Sequence, residues 1–152
     1  MALFLVRHAQ AGHRGFGPND TSRCLSEDGQ AQARSLVEAL RDVSITRLIS
    51  SPYERCRQTL APLSEATRLT VESMPALAEG MPFEPVLALF DQLPEGSVLC
   101  SHGDVIPDVI QALARRGLEV RGEPRWNKGS VWVLQRCGGE WTEGSSFRLV
   151  AR

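Results

Sequence analysis

The first hydrophobic run, Ala2 to Val6, is unbroken and meets Arg7-His8 and then glycine-rich sequence. So short an apolar run predicts a strand buried on both faces. Gln10 to Cys24, holding Gly12, Gly15, Gly17, Pro18 and Asn19, reads as a loop. Ser26 then caps a helix whose first turn carries Glu27 and Asp28, complementing the helix dipole. Ala33, Leu36, Val37 and Leu40 recur at helical spacing and form its apolar stripe. Arg47 to Ser50 is the next strand, and Pro52 to about Ala66 a second helix with proline in its first turn. A strand over Thr70 to Met74, a loop over Glu79 to Pro85 and a helix over Pro85 to Leu93 follow, stopped by Pro94-Glu95-Gly96. Ser97 to Cys100 predicts another buried strand. The helix after it carries Ile106, Val109, Ile110 and Leu113 on one face and ends near Gly117. Val131 to Leu134 and Phe147 to Val150 read as the last strands, joined through Gly138-Gly139 by a hairpin loop longer than two residues.

Strands alternating with helices define an α/β fold: a three-layer sandwich with a mostly parallel central sheet flanked by helices. At 152 residues without repeats or linkers, residues 1–152 are expected to form one domain. The 42% hydrophobic and 23% charged content excludes disorder, collagen and coiled coil. Seventeen basic against eighteen acidic side chains leave a formal charge of −1, so no nucleic-acid polymer is expected as partner. A neutral total still allows a local cluster of arginines around a small anion. Cys24, Cys56, Cys100 and Cys137 are widely spaced, which argues against a zinc knuckle or a disulfide framework and for reduced structural thiols. The N-terminal run lacks a basic flank and is too short for a signal peptide or a membrane span. A cytoplasmic protein with no membrane association is the expectation.

In open α/β sheets, ligands gather beyond the carboxyl ends of the strands. Three such ends carry unusual polar residues: Arg7-His8, the stretch Ser50 to Arg57, and His102-Gly103-Asp104. If those strands are parallel neighbours, two histidines and at least one arginine converge on one pocket. Arginine's planar fork pairs two oxygens of an anion, and neutral imidazole is a nucleophile near pH 7.

These motifs carry a family resemblance. Leu5-Val6-Arg7-His8-Ala9 resembles the Arg-His-Gly signature of the histidine phosphatase, or phosphoglycerate-mutase-like, superfamily. Leu25 to Ala33 resembles its first-helix signature, Ser50 to Thr59 its second arginine motif, and Ser101-His102-Gly103 the segment bearing its second histidine. Four motifs in register over nearly the whole chain are far more specific than any one. The resemblance implies a phosphoglycerate-mutase-like fold and a metal-independent phosphohydrolase without a cofactor. His8 would become phosphohistidine, and Arg7, Arg55, His102 and Gly103 would bind the phosphoryl group. Leu77-Ala78-Glu79 is similar to the position of the family's acid, which makes Glu79 the first candidate for proton donor and Asp104 the second.

Two positions depart from the pattern. Gly80-Met81-Pro82-Phe83 lacks the family's glycine and aromatic spacing, and Ala9 replaces a glycine, which requires an ordinary backbone conformation there. The short chain resembles the small bacterial phosphohistidine phosphatases related to SixA, whereas Glu79 points towards phosphate esters or anhydrides. Val98 to Pro107 and Asn127 to Trp132 are similar to the phosphatase domain fused behind a Nudix domain in actinobacterial nucleotide-sanitising proteins, where Lys128 would face a polyphosphate. Three alternatives to a general phosphatase follow: a phosphohistidine protein phosphatase, a nucleotide phosphatase, and a catalytically silent phosphate-binding module. The implied partners are a small phosphorylated substrate or a phosphohistidine protein. Other polar residues have blander readings. His13 is expected to be a solvated loop histidine and Arg57 an exposed helical residue. Arg23 reads as a surface ion pair or a pocket residue, and Trp126, Trp132 and Trp141 as core or pocket wall.

Overall fold

The computed structural model describes residues 1–12 and 20–151. In chain order its elements are β1 (Ala2–Arg7), α1 (Glu27–Ala39), β2 (Arg47–Ser50), α2 (Glu54–Thr67), β3 (Val71–Ser73), α3 (Glu84–Gln92), β4 (Ser97–Ser101), α4 (Val105–Arg115), β5 (Glu119–Val120), β6 (Ser130–Cys137) and β7 (Glu140–Arg148). One sheet takes all seven strands in the order β3-β2-β4-β1-β6-β7-β5. The pairs β3–β2, β2–β4, β4–β1 and β7–β5 are parallel, and β6 is antiparallel to both its neighbours. Six strands therefore run one way and β6 the other. This is the expected α/β sandwich.

Alternation along the strands builds the two cores. Leu3 and Leu5 of β1 join Ile49, Leu99 and Trp132 on one face, packed against α3 and α4 through Val86, Phe90, Ile106, Val109 and Leu113. Phe4 and Val6 join Leu48, Val98 and Cys100 on the other, packed against α1 and α2 through Leu36, Leu40, Cys56, Leu60 and Leu63. Successive side chains in a strand point to opposite faces, so a strand covered by helices on both sides must be apolar throughout. The four buried residues at the centre of β1 follow that rule.

The α1 cap is as expected, whereas α2 begins at Glu54 behind an extended Tyr53, so Pro52 precedes the helix instead of occupying its first turn. Ser26 Oγ accepts from Gly29 N–H and caps α1. The α2 helix ends in Arg68 at φ 62°, in the left-handed region, where its N–H donates to the Ser64 carbonyl. Among the described residues Arg68 alone has a positive φ without being glycine.

Two expectations at the C-terminal end need correcting. The β6–β7 loop is the two residues Gly138-Gly139, not longer, since Cys137 pairs with Glu140 and both glycines take positive φ (59° and 82°). Two such residues form the tight turn whose twist matches paired strands. The last strand starts at Glu140 rather than Phe147, through polar sequence that lies largely towards solvent and carries little apolar alternation. The exposed two-residue β5 had no pattern to reveal it.

A left-handed conformation costs a non-glycine residue about 1–2 kcal/mol. Arg68→Gly should therefore stabilise the fold by up to about 1 kcal/mol once glycine's greater unfolded-state entropy is deducted, and so raise the urea midpoint. A lower midpoint would show that Arg68's side chain contributes more than its backbone costs.

Candidate active site

Strand register brings three chain segments together. Arg7 pairs with Ser101 and Ser50 with Cys100, so β1, β4 and β2 end level at their carboxyl edge. The ladder continues one residue further, with His8 N–H donating to the Ser101 carbonyl (3.1 Å) and Ser51 N–H to the Cys100 carbonyl (3.0 Å). His8, Ser51 and His102 thus leave adjacent strands side by side. From the antiparallel side, Gly129 N–H donates to the carbonyls of Arg7 (3.2 Å) and His8 (3.1 Å).

The His8 and His102 rings meet edge-on, with centroids 5.5 Å apart. His8 is buried, and its Nδ1 lies 2.8 Å from the Ala9 carbonyl oxygen. A carbonyl can only accept, so this bond places the proton on Nδ1 and leaves the lone pair on Nε2. Arg55 Nε–H points at that nitrogen from 3.4 Å. Burial lowers the His8 pKa from 6.5 to about 3, and the positive fields of His102, Arg55 and Arg7 push the same way against the Ala9 bond. His8 is neutral at pH 7. Ala9 has no positive φ and is fully buried, so alanine fits the position that glycine holds in the resemblance.

Arg55, on the first turn of α2, is a guanidinium with only 1% of its side chain exposed. It donates to the Asp20 carbonyl (2.9 Å) and Asp20 Oδ2 (3.1 Å), and Glu79 Oε1 lies 3.5 Å from the same terminal nitrogen. Arg7 donates to the Trp126 carbonyl (2.7 Å), while its buried Nε has no protein partner. Burial draws the Arg7 pKa below its ordinary value, opposed by the carboxylate of Asp104. A Cβ added at Gly103 would lie 2.5 Å from Arg7 Cζ, so only glycine lets the guanidinium sit there.

Glu79 follows a helical turn at Pro75–Leu77, and two contacts tie its segment to the end of β4. Ser101 Oγ donates to the Leu77 carbonyl (2.7 Å), and Gly80 N–H donates to Asp104 Oδ2 (2.7 Å). Asp104 therefore spends one oxygen on the turn that carries Glu79, and Glu79 is the carboxylate beside Arg55.

The structure thus brings His8 beside His102 and Arg55, Glu79 beside Arg55, and Gly103 beside Arg7. It also adds residues that sequence reading passed over. Asp20 bridges Arg55 to Arg23, whose Nε lies 3.1 Å from Asp20 Oδ1. Nothing in a loop aspartate's sequence context signals that. Thr59 Oγ1 accepts from Ala9 N–H (3.0 Å) and donates to the Arg55 carbonyl (2.7 Å), fastening the two motifs to each other. Ser51 Oγ lies 2.8 Å from His102 Nε2, and its place inside the second arginine motif was the available signal. Arg57 is not simply an exposed helical residue: it bonds Ser73 Oγ and is half-buried, because α2 crosses the end of β3 there. Trp132 is core, Trp141 packs half-buried against Phe90, and Trp126 is partly exposed beside Arg7. His13 lies outside the described residues. All four cysteines are free, with Cys56 and Cys100 buried. Among the described residues no His, Cys, Asp or Glu cluster is arranged to hold a metal ion, and no helix is long and apolar enough to cross a membrane.

Residues 3–84 match the model of the histidine phosphatase superfamily, branch 1. The chain belongs to that superfamily. It is 34% identical over 146 residues to the 8-oxo-(d)GTP phosphatase of Mycolicibacterium smegmatis, covering 91% of this chain and 45% of that protein. The chain spans less than half the length of curated relatives that it matches. In fold it is similar to the protein histidine phosphatase SixA complexed with tungstate, with a TM-score of 0.73 at 20% identity over 99% of this chain and 97% of that one. The α-ribazole phosphatase of Shigella flexneri superposes with a TM-score of 0.70 at 17% identity, covering 100% and 96%.

Two predictions arise from this superfamily pocket. Gly103→Ala should displace the Arg7 guanidinium and weaken binding of inorganic phosphate by about tenfold or more, the scale of a lost charge-assisted hydrogen bond; calorimetric titration checks it, and unchanged affinity would remove Arg7 from the anion site. Because the His8 pKa falls from 6.5 to about 3 on folding, the unfolded chain takes up a proton that the folded chain refuses between those values. His8 costs nothing above that window, and stability should decline as pH drops through it. Urea unfolding across the window should show the slope in the wild type and a flatter one in His8→Ala.

Proposed function

We propose that this chain is a metal-independent phosphohydrolase working through phosphohistidine on His8. The observation that carries the proposal is the protonation of His8: Nδ1 is committed to the Ala9 carbonyl, and a neutral Nε2 lone pair lies among Arg7, Arg55 and His102. In the first step Nε2 attacks phosphorus, the bond from phosphorus to the leaving oxygen breaks, and protonated Glu79 supplies that oxygen's proton. In the second, water attacks the phosphoryl group, the P–N bond breaks, and Glu79 takes the water's proton and is restored. Arg7, Arg55 and His102 hold the non-bridging oxygens and offset the charge that spreads over them during transfer. Gly103 leaves room for Arg7 in that arrangement. Residues 1–152 act here as one histidine phosphatase domain, since the sheet draws its strands from both halves of the chain.

Phosphate esters or anhydrides are favoured as substrates. Glu79 places a carboxyl group in the site that in its protonated form can serve an oxygen leaving group, whereas a phosphoramidate nitrogen can leave already protonated. Nucleotides are the second reading, supported by the 34% identity with the 8-oxo-(d)GTP phosphatase. Phosphohistidine proteins rest on likeness of shape to SixA alone.

Purified protein should hydrolyse p-nitrophenyl phosphate, and His8→Ala should abolish it; equal rates in the two would identify a phosphate-binding module instead. Label trapped on the enzyme should be lost in acid, kept in base and missing from His8→Ala. Glu79→Gln should slow alkyl phosphates by about 10²-fold or more, the usual scale of general-acid catalysis. It should spare p-nitrophenyl phosphate, whose leaving group needs no proton. The same profile in Asp104→Asn, with Glu79→Gln unaffected, would transfer the acid's role to Asp104.

A further inference from the structure

Resting on the phosphoryl-transfer reading above, we infer that Ser51 is a positioning residue that fixes His102 as the tautomer carrying its proton on Nδ1, aimed at an oxygen of the transferring phosphoryl group. The His102 ring is 1% exposed and has two nitrogens in different circumstances. Nε2 lies 2.8 Å from Ser51 Oγ, and buried Nδ1 has no protein partner. A serine hydroxyl has one proton to donate and two lone pairs. Tyr53 N–H takes one of those lone pairs (3.2 Å), which anchors the hydroxyl to the backbone turn ahead of α2. In the inferred state its proton goes to Nε2. A neutral ring that accepts at Nε2 must carry its hydrogen on Nδ1.

The neighbours hold the ring in that orientation. His8 meets it edge-on, and the Tyr53 ring packs against it with centroids 4.7 Å apart at 71°. Cys56 Sγ is 3.5 Å from Nε2 and 3.7 Å from the Ser101 carbonyl oxygen. A thiol donates to that carbonyl, which leaves Nε2 to Ser51. Phosphoryl oxygens carry lone pairs only, so the opposite tautomer would turn a ring lone pair towards an anion. His8 and His102 are then both protonated on Nδ1 with opposite consequences. In His8 the free Nε2 is a nucleophile, and in His102 the free N–H is an anion donor.

The competing arrangement is a Cys56 thiolate accepting from a doubly protonated His102. Burial raises the Cys56 pKa, and hydrogen bonds involving Cys100, His102 and Ser51 bring it down to about 6. Long-range nitrogen–proton correlation NMR on the full chain separates the two, with the His102 signals identified by their loss in His102→Asn. The expected result at pH 7 is a protonated Nδ1 and a bare Nε2, with orthovanadate bound and without it. Ser51→Ala should mix the tautomers, weaken orthovanadate about tenfold and lower kcat by a similar factor, the scale of one misaligned hydrogen bond. Ser51→Thr, which keeps the hydroxyl, should restore all three. A doubly protonated ring or an Nε2–H tautomer in the wild type overturns the inference, whether or not Ser51→Ala folds. So does an unchanged tautomer in folded Ser51→Ala. The readout needs no turnover, so a wrong tautomer in an active enzyme overturns the role of Ser51 alone. The expected tautomer in an inactive protein overturns the hydrolase reading and upholds the Ser51–His102 coupling.

Discussion

A guanidinium sealed from water must be given anions, and the arrangement around Arg55 follows from that requirement. Removing a cation from solvent is tolerated only when hydrogen bonds and opposite charge replace its hydration. Asp20 supplies a backbone carbonyl and a carboxylate oxygen, and Glu79 adds a second carboxylate. Both side chains are more than a third exposed, so their hold on Arg55 is screened on the solvent side. The remaining edge of the guanidinium turns to His8 Nε2. One buried cation thus organises the loop bearing Asp20, the turn bearing Glu79 and the ring of His8.

The sheet supplies the frame for that charge. β4 pairs with β1 on one side and β2 on the other, and the shared register leaves His8, Ser51 and His102 at one edge. A slip of one residue would turn β1 over and exchange its two core faces. The apolar packing of Leu3 and Leu5 against one helical layer, and of Phe4 and Val6 against the other, therefore also fixes where the polar residues emerge. Precision at the pocket is inherited from the core.

Most of this frame is legible in the amino-acid sequence, because its signals are local. Short apolar runs, Ala2 to Val6, Leu48-Ile49 and Val98 to Cys100, mark β1, β2 and β4, and each is followed at once by the polar residues that the parallel sheet collects. What could not be read is of two kinds. Asp20 acts through a partner distant in the chain, and no spacing rule links it to an arginine on a later helix; Ser51 and Thr59 lie inside a legible motif, but His102 and Ala9, which they bond, do not. The C-terminal hairpin was missed in part because β7 is polar along much of its length and lacks alternation, although its glycine pair marked the turn. Asp104 likewise makes a contact that its sequence position does not announce: one carboxylate oxygen accepts from the backbone N–H of Gly80.

The bracing of β1 by β6 has a consequence for the order in which the molecule is made. Translation delivers β1 long before either of its flanking strands, β4 and β6. Until then β1 is a hydrophobic segment with two unpaired edges, the kind of species that aggregates or recruits chaperones. Gly129, whose N–H donates to the carbonyls of Arg7 and His8, lies more than a hundred residues after β1 in the chain. The site can therefore close only after β6 has been made, and a nascent fragment ending before β6 would carry most of the functional side chains without the backbone that aligns them.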